Sequence, residues 1–171
     1  MLRLVLAITL FTMALAPASA APIALGVWET FTWDGLGPID DPGEGFQILL
    51  TETALLRVVD CCVIGDQFEV FTQVDGSLGV TSAIGAGDGV QSGAFDGDSA
   101  WAHPLLSKGA WILAPGWYDI DINVVRLTPG FNEGAGFIRL DPYVVPEPGT
   151  ITLFGLGALL LLVGRKRIRA N

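Results

Sequence analysis

Residues 116–125 read GWYDIDINVV, and this alternation constrains the chain more than any other feature in it. Tyr118, Ile120, Ile122 and Val124 fall on one face and Asp119, Asp121 and Asn123 on the other, the period of two that a half-buried antiparallel strand requires. Residues 66–82, DQFEVFTQVDGSLGVTS, repeat the pattern with Phe68, Val70, Thr72 and Val74 and then reach Asp75-Gly76. That pair suits a tight hairpin because both central residues take positive φ. Further strands are expected over 27–33, 46–50, 54–60, 110–114 and 136–140, with Gly, Pro and Asp at the corners between them. No segment of this body carries a helical period, and no internal repeat of fixed length is present. The expected fold class is all-β: a single β-sandwich of jelly-roll or Greek-key type.

A chain of 171 residues has room for one compact domain with appendages. Both ends depart from the body. Arg3, an apolar run over 4–15 and the small residues Ala18-Ser19-Ala20 make up the three parts of a secretory signal, with cleavage by signal peptidase expected after Ala20. The domain organisation expected is therefore a signal peptide over 1–20, an ectodomain over 21–145 and a distinct tail over 146–171.

That tail reads PEPGTITLFGLGALLLLVGRKRIRAN. Its apolar run, 150–164, would as a helix be about 22 Å long against a hydrocarbon core of about 30 Å. Arg165, Lys166, Arg167 and Arg169 follow immediately; they extend its reach by snorkelling and keep the C-terminus cytoplasmic, which puts the body outside. Pro146 and Pro148 each fix φ, and Pro148 pushes Glu147 toward an extended conformation, so Pro146-Glu147-Pro148 is held out of the helix.

A Pro-Glu-Pro, an apolar segment containing glycine and an Arg-rich terminus, in that order, resemble the PEP-CTERM sorting signal of exported bacterial proteins. The resemblance implies recognition by an exosortase, a membrane-embedded cysteine peptidase, and processing near Pro146, Glu147 and Pro148. It also implies a Gram-negative bacterium that makes exopolysaccharide and biofilm matrix. The protein would then sit transiently in the inner membrane before passing to the cell envelope, cell surface or exterior. The segments VVDCCVIGDQFEVFTQVDGSLGVTS, SAWAHPLLSKGAWILAPGWYDIDINVV and GAGFIRLD look similar, more loosely, to a sandwich domain that recurs in exported proteins with this tail. No activity is attached to that domain.

Charge narrows the partners. Residues 21–145 hold seventeen Asp and Glu against four Lys and Arg (Arg57, Lys108, Arg126, Arg139), a net of −13. Such a body repels phosphate backbones, so no nucleic-acid partner is expected.

Chemistry is harder to find. His103 is the sole histidine, and Ser77, Ser99 and Ser107 lack an identifiable base and orienting group, so a Ser-His-Asp triad is not expected. Asp119 and Asp121 have a spacing that two glycosidase carboxylates would tolerate, but a solvated strand face explains them as well. DGDS at 96–99 lacks the Glu of an EF-hand at the twelfth position, where Ser107 stands. A structural Ca²⁺ in sandwich loops would draw on Asp34, Asp40, Asp41, Asp66, Asp96 and Asp98; otherwise no cofactor is expected. Cys61 and Cys62 are adjacent, with Cα atoms about 3.8 Å apart against an ordinary disulfide range of about 4.4–6.8 Å. Two thiols, a vicinal bridge or an intermolecular link remain open. Trp117 shares the face of Asp119 and Asp121 and is the tryptophan best placed to stack on a sugar ring.

These features point to a non-enzymatic envelope or matrix protein with a structural or adhesive sandwich. The alternative is a lectin-like module for exopolysaccharide, followed by a polysaccharide-active enzyme.

Overall fold

The computed structural model describes residues 21–40 and 45–143. They form an almost wholly β structure of two facing sheets. Its elements are β1 (Ala21–Pro22), β2 (Glu29–Asp34), β3 (Gly37–Pro38), β4 (Phe46–Leu50), β5 (Ala54–Asp60), β6 (Gln67–Thr72), β7 (Gly76–Val80), α1 (Gly97–Ala102), β8 (Lys108–Leu113), β9 (Gly116–Arg126) and β10 (Glu133–Pro142). One sheet has the order β1-β4-β9-β6-β7, with β3 also on β9; the other has β2-β10-β5-β8. All pairings are antiparallel except that of β1 with β4.

β9 is the organising strand of the larger sheet. Its alternation does what the sequence implies: Tyr118, Ile120, Ile122 and Val124 are buried in the space between the sheets. Phe46, Phe68 and Val70 enter from β4 and β6, and Phe31, Trp33, Leu56, Val58, Ile138 and Leu140 from the facing sheet. The aromatic part is tightly interlocked. Phe31 meets Phe68 edge-on at 5.3 Å between ring centroids, and Trp33 meets Phe68 at 4.9 Å. Edge-to-face contacts of this kind add about 0.5–1.5 kcal/mol to area burial.

These rings need room on the neighbouring strand, and β10 provides it with glycine. Gly134 stands opposite Trp33 and Gly136 opposite Phe31. A Cβ on Gly136 would lie 2.5 Å from Phe31 Cζ and 3.0 Å from the Val59 carbonyl oxygen.

Three expectations are corrected. α1 was not expected, because six residues are too few to display a helical period. Val74 does not share the buried face of Phe68 and Val70: β6 ends at Thr72, which pairs with Gly76, so Val74 sits exposed in the turn 73–75. Of Asp75 and Gly76 only the glycine has positive φ, at 71°, which gives a three-residue turn closed by a left-handed glycine.

Replacing Gly136 by Ala should cost about 1–3 kcal/mol through overpacking against a ring that has nowhere to go. Leu49→Ala, at a surface position, should stay within about 0.5 kcal/mol. Urea unfolding of both variants checks the pair, and a Gly136→Ala midpoint equal to the parent would refute the packing argument.

Candidate functional site

Where β5 leaves one sheet and β6 enters the other, the turn 61–66 must satisfy its amides without a partner strand. Asp60, fully buried, does this from its side chain. Its Oδ1 accepts from the Cys61 amide at 2.8 Å, and its Oδ2 from the amides of Gly65 and Asp66, each at 3.3 Å. Burial, and then the neighbouring Asp66 charge, push the Asp60 carboxyl up to about 8, against the pull of the three amides. Asp66 accepts from the Thr128 amide at 2.7 Å. Burial raises its pKa too, while the Thr128 amide and Arg126 oppose the rise.

Two further contacts lock the same corner. Arg126, at the end of β9, donates to the Gly65 carbonyl and pairs with Asp88. Cys61 and Cys62 are joined as a vicinal disulfide with Cα atoms 3.7 Å apart, so of the three states open to them the structure has the bridged one. Cys62 takes φ 69°, the left-handed region, and its carbonyl accepts from the amide and hydroxyl of Ser92 at 2.7 and 2.9 Å. The turn thereby holds the long excursion that follows β7.

That excursion covers the outer face of the β2-β10-β5-β8 sheet. Val59, Cys61, Ile64, Ala94, Ala100, Leu106 and Phe137 form a second apolar cluster there, with Trp28 and Trp101 against it. Asp96 caps α1 in a reciprocal box with Ser99, accepting from the Ser99 amide at 2.9 Å. Asp98 accepts from Trp28 Nε1 and from Arg139, each at 2.8 Å. The Arg139 guanidinium lies 4.4 Å from the centroid of Trp28, and Arg57 lies 5.1 Å from that of Trp101. Lys108 Nζ donates to the carbonyls of Trp101 and His103 at 2.7 and 3.0 Å. Three of the body's four cations are thus spent fastening α1 to the sheet.

The residues singled out for chemistry are not brought together. His103 ends α1, and its Nδ1 accepts from the Leu105 amide at 3.3 Å. Ser77 donates to Glu69, Ser99 to Asp96, and Ser107 to Thr81 and Ser82. Asp119 and Asp121 stay on the outer face of β9, as the alternation implies, where burial and then Asp119 raise the Asp121 carboxyl. The calcium candidates are scattered. Asp96 and Asp98 are committed to α1, Asp66 to Thr128, and Asp41 lies outside the described residues. No group of three or more His, Cys, Asp or Glu among the described residues is placed to hold a metal ion. Trp117 is exposed and faces Leu49 across the strand pair. The buried Asp60 was missed by sequence reading, since a lone acid after ALLRVV gives no sign that it turns inward.

The end of the chain supplies the functional assignment. Residues 144–167 match the PEP-CTERM protein-sorting motif. The chain carries a PEP-CTERM sorting signal. The signal supports an exported, membrane-passing protein that is processed by an exosortase-type enzyme. Pro146, Glu147 and Pro148, the basic residues Arg165, Lys166, Arg167 and Arg169, the apolar run 150–164, and Ala18 and Ala20 of the expected signal cleavage site lie outside the described residues. Among the described residues no helix is long and apolar enough to cross a membrane. No match was found among curated proteins. Among solved structures the chain is similar to the pre-peptidase C-terminal domain of collagenase from Bacillus anthracis, at 14% identity and a TM-score of 0.39, over 73% of this chain and 97% of that one. A likeness of that size carries nothing about activity.

The buried acids make a pH prediction. Asp60 has a folded-state pKa far above its unfolded value, so the stabilisation linked to its protonated form is complete below about pH 4 and is lost as pH rises through about 8. Asp66 shifts in the same direction. Urea midpoints should therefore fall between pH 5 and pH 8.5, with a shallower fall in Asp60→Asn; equal slopes in the two proteins would contradict the assignment.

Proposed function

We propose that this PEP-CTERM-bearing chain is a cell-envelope or extracellular-matrix protein whose β-sandwich serves a structural or adhesive role without catalysis. The match of residues 144–167 to the sorting motif carries this reading. In the reaction it implies, the chain is the substrate: signal peptidase frees the N-terminus, the apolar run 150–164 holds the chain in the inner membrane, and an exosortase cuts near Pro146-Glu147-Pro148. The body then passes to the envelope, the surface or the exopolysaccharide matrix.

The commitments of the body's polar groups support a passive role. Asp60, Asp66, Asp96 and Asp98 each accept hydrogen bonds that hold a turn or a helix in place. A catalytic carboxylate needs instead to face substrate with a partner of split pKa. The lectin-like alternative rests on Trp117, whose neighbour across the strand is the aliphatic Leu49 and not a hydrogen-bonding side chain. Sugar recognition combines an aromatic face with convergent polar groups.

Mass spectrometry of the protein from native cells tests the processing. The mature C-terminus should fall near Pro146 to Gly149 and shift to Asn171 when the exosortase is deleted. A terminus at Asn171 in the parent strain would defeat the proposal.

A further inference from the structure

The end of the sandwich from which the tail departs differs from the other end. β10 finishes at Pro142, beside Ala54, and the Tyr143 amide donates to the Thr53 carbonyl at 3.1 Å. Around this exit lie Leu25, which bridges to Leu140, and Leu49 and Trp117, which face each other across β4 and β9. Leu25 is 53% exposed, Leu49 68% and Trp117 48%. The turn carrying Val74, 62% exposed, is fastened alongside: Gln73 donates to the Trp117 carbonyl at 2.9 Å and accepts from the Asp119 amide at 2.6 Å.

Burying these side chains would recover about 25 cal/mol for each Å² of apolar surface. The loops of this end, 51–53, 73–75 and 114–115, contain Glu52 and Asp75 as their only charges. The opposite end presents Asp34, Asp88 and Glu133 at its surface, with Asp60 and Asp66 buried beneath them. Asp141, in β10 beside the exit, is paired with Arg57 and Arg139.

The length of chain beyond Tyr143 says what meets this patch. Six residues, 144–149, separate Tyr143 from the apolar run, and seven extended steps reach at most about 25 Å. With the run in a bilayer, this end of the domain hangs within that distance of the headgroups. Trp and Tyr are the side chains that settle at a membrane interface, and Trp117 and Tyr143 stand at this rim beside aliphatic neighbours. With only Glu52 and Asp75 in its loops, this end offers an anionic leaflet little charge to repel.

We propose that Leu25, Leu49, Val74 and Trp117 form a membrane-resting surface that seats the unprocessed protein on the headgroup layer and keeps Pro146-Glu147-Pro148 at the bilayer surface. The inference rests on the reading of 150–164 as a membrane-inserted segment. The occupant is the lipid surface itself. Processing removes the tether, and the patch lifts away with the body.

All five tryptophans belong to the body, so their emission reports only on it. The protein is exported by a Gram-negative host without an exosortase and purified with its tail intact. It is then reconstituted in phosphatidylethanolamine–phosphatidylglycerol vesicles containing a phospholipid brominated near the headgroup end of its acyl chains. Flotation with the vesicles reads insertion of the tail; bromine quenching of tryptophan reads the docking. The expected result is flotation together with a quenched component that disappears in Trp117→Phe and weakens in Leu49→Asp, both variants still floating. Flotation with equal quenching in parent and Trp117→Phe would overturn the docking and leave the tail reading standing. Failure to float would overturn both. Shielding of Trp117 from aqueous iodide before vesicles are added would show the patch already covered by a second copy, and would overturn the lipid assignment.

Discussion

The interlocking of Phe31, Trp33 and Phe68 between the two sheets is the contact on which the rest of this domain depends. Three rings at centroid separations of 4.9–5.8 Å fill the middle of the sandwich, and bulky aromatics there dictate the composition of the strands around them. β10 has to carry Gly134 and Gly136 beside them, since a Cβ at either would collide with an indole or phenyl ring. β9 has to alternate strictly, because Ile120, Ile122 and Val124 complete the floor on which the rings rest. Glycine in a strand interior is unfavourable by roughly 0.5–1 kcal/mol relative to alanine. The large area buried by the rings outweighs that cost.

Once the inner faces are fixed, the outer face of the β2-β10-β5-β8 sheet becomes the next problem. Val59 and Phe137 are buried there rather than between the sheets, so β5 reads ALLRVVD with apolar residues on both faces. The excursion between β7 and β8 solves it, bringing α1 and Leu106 over the sheet. Its attachment combines the apolar contact of Ala94, Ala100 and Leu106 with Val59 and Phe137, the Arg139–Asp98 ion pair and the stacking of Arg57 on Trp101. The corner at 60–66 is held by the same economy of means. A side-chain carboxyl group accepting from three amides replaces the ladder bonds lost where the chain changes sheets, and each amide left bare would cost about 1–3 kcal/mol.

What was legible in the sequence follows from how local its cause is. β4 and β5 have the expected limits and β9 differs by one residue, because alternation between turn residues is written within the segment itself. β10 extends three residues before the expected start, since Glu133 to Ala135 are held by pairing with β2 and not by their own pattern. α1 depends on the Asp96 cap and on the sheet beneath it, neither of which a six-residue window reveals. The burial of Asp60 and the bridging of Cys61 to Cys62 are likewise consequences of the sheet change. In the tail the situation is reversed: the sorting motif is linear, so sequence alone identifies it.

In the proposed attachment, with 150–164 in the bilayer, body and tail act together. A fifteen-residue apolar run is short for a bilayer, and mismatch of this kind costs a fraction of a kcal/mol per Å. A few exposed aliphatic and aromatic side chains, in turn, are too small a surface to hold a soluble domain on lipid by themselves. Tethered in that way within about 25 Å of the headgroups, the proposed patch would act at an effective concentration set by the linker and not by the solution, and each attachment would make up for the weakness of the other. Cutting between them removes that advantage at once. On that proposal a marginal span and a modest patch suit a protein held at the membrane until one bond is broken and released afterwards.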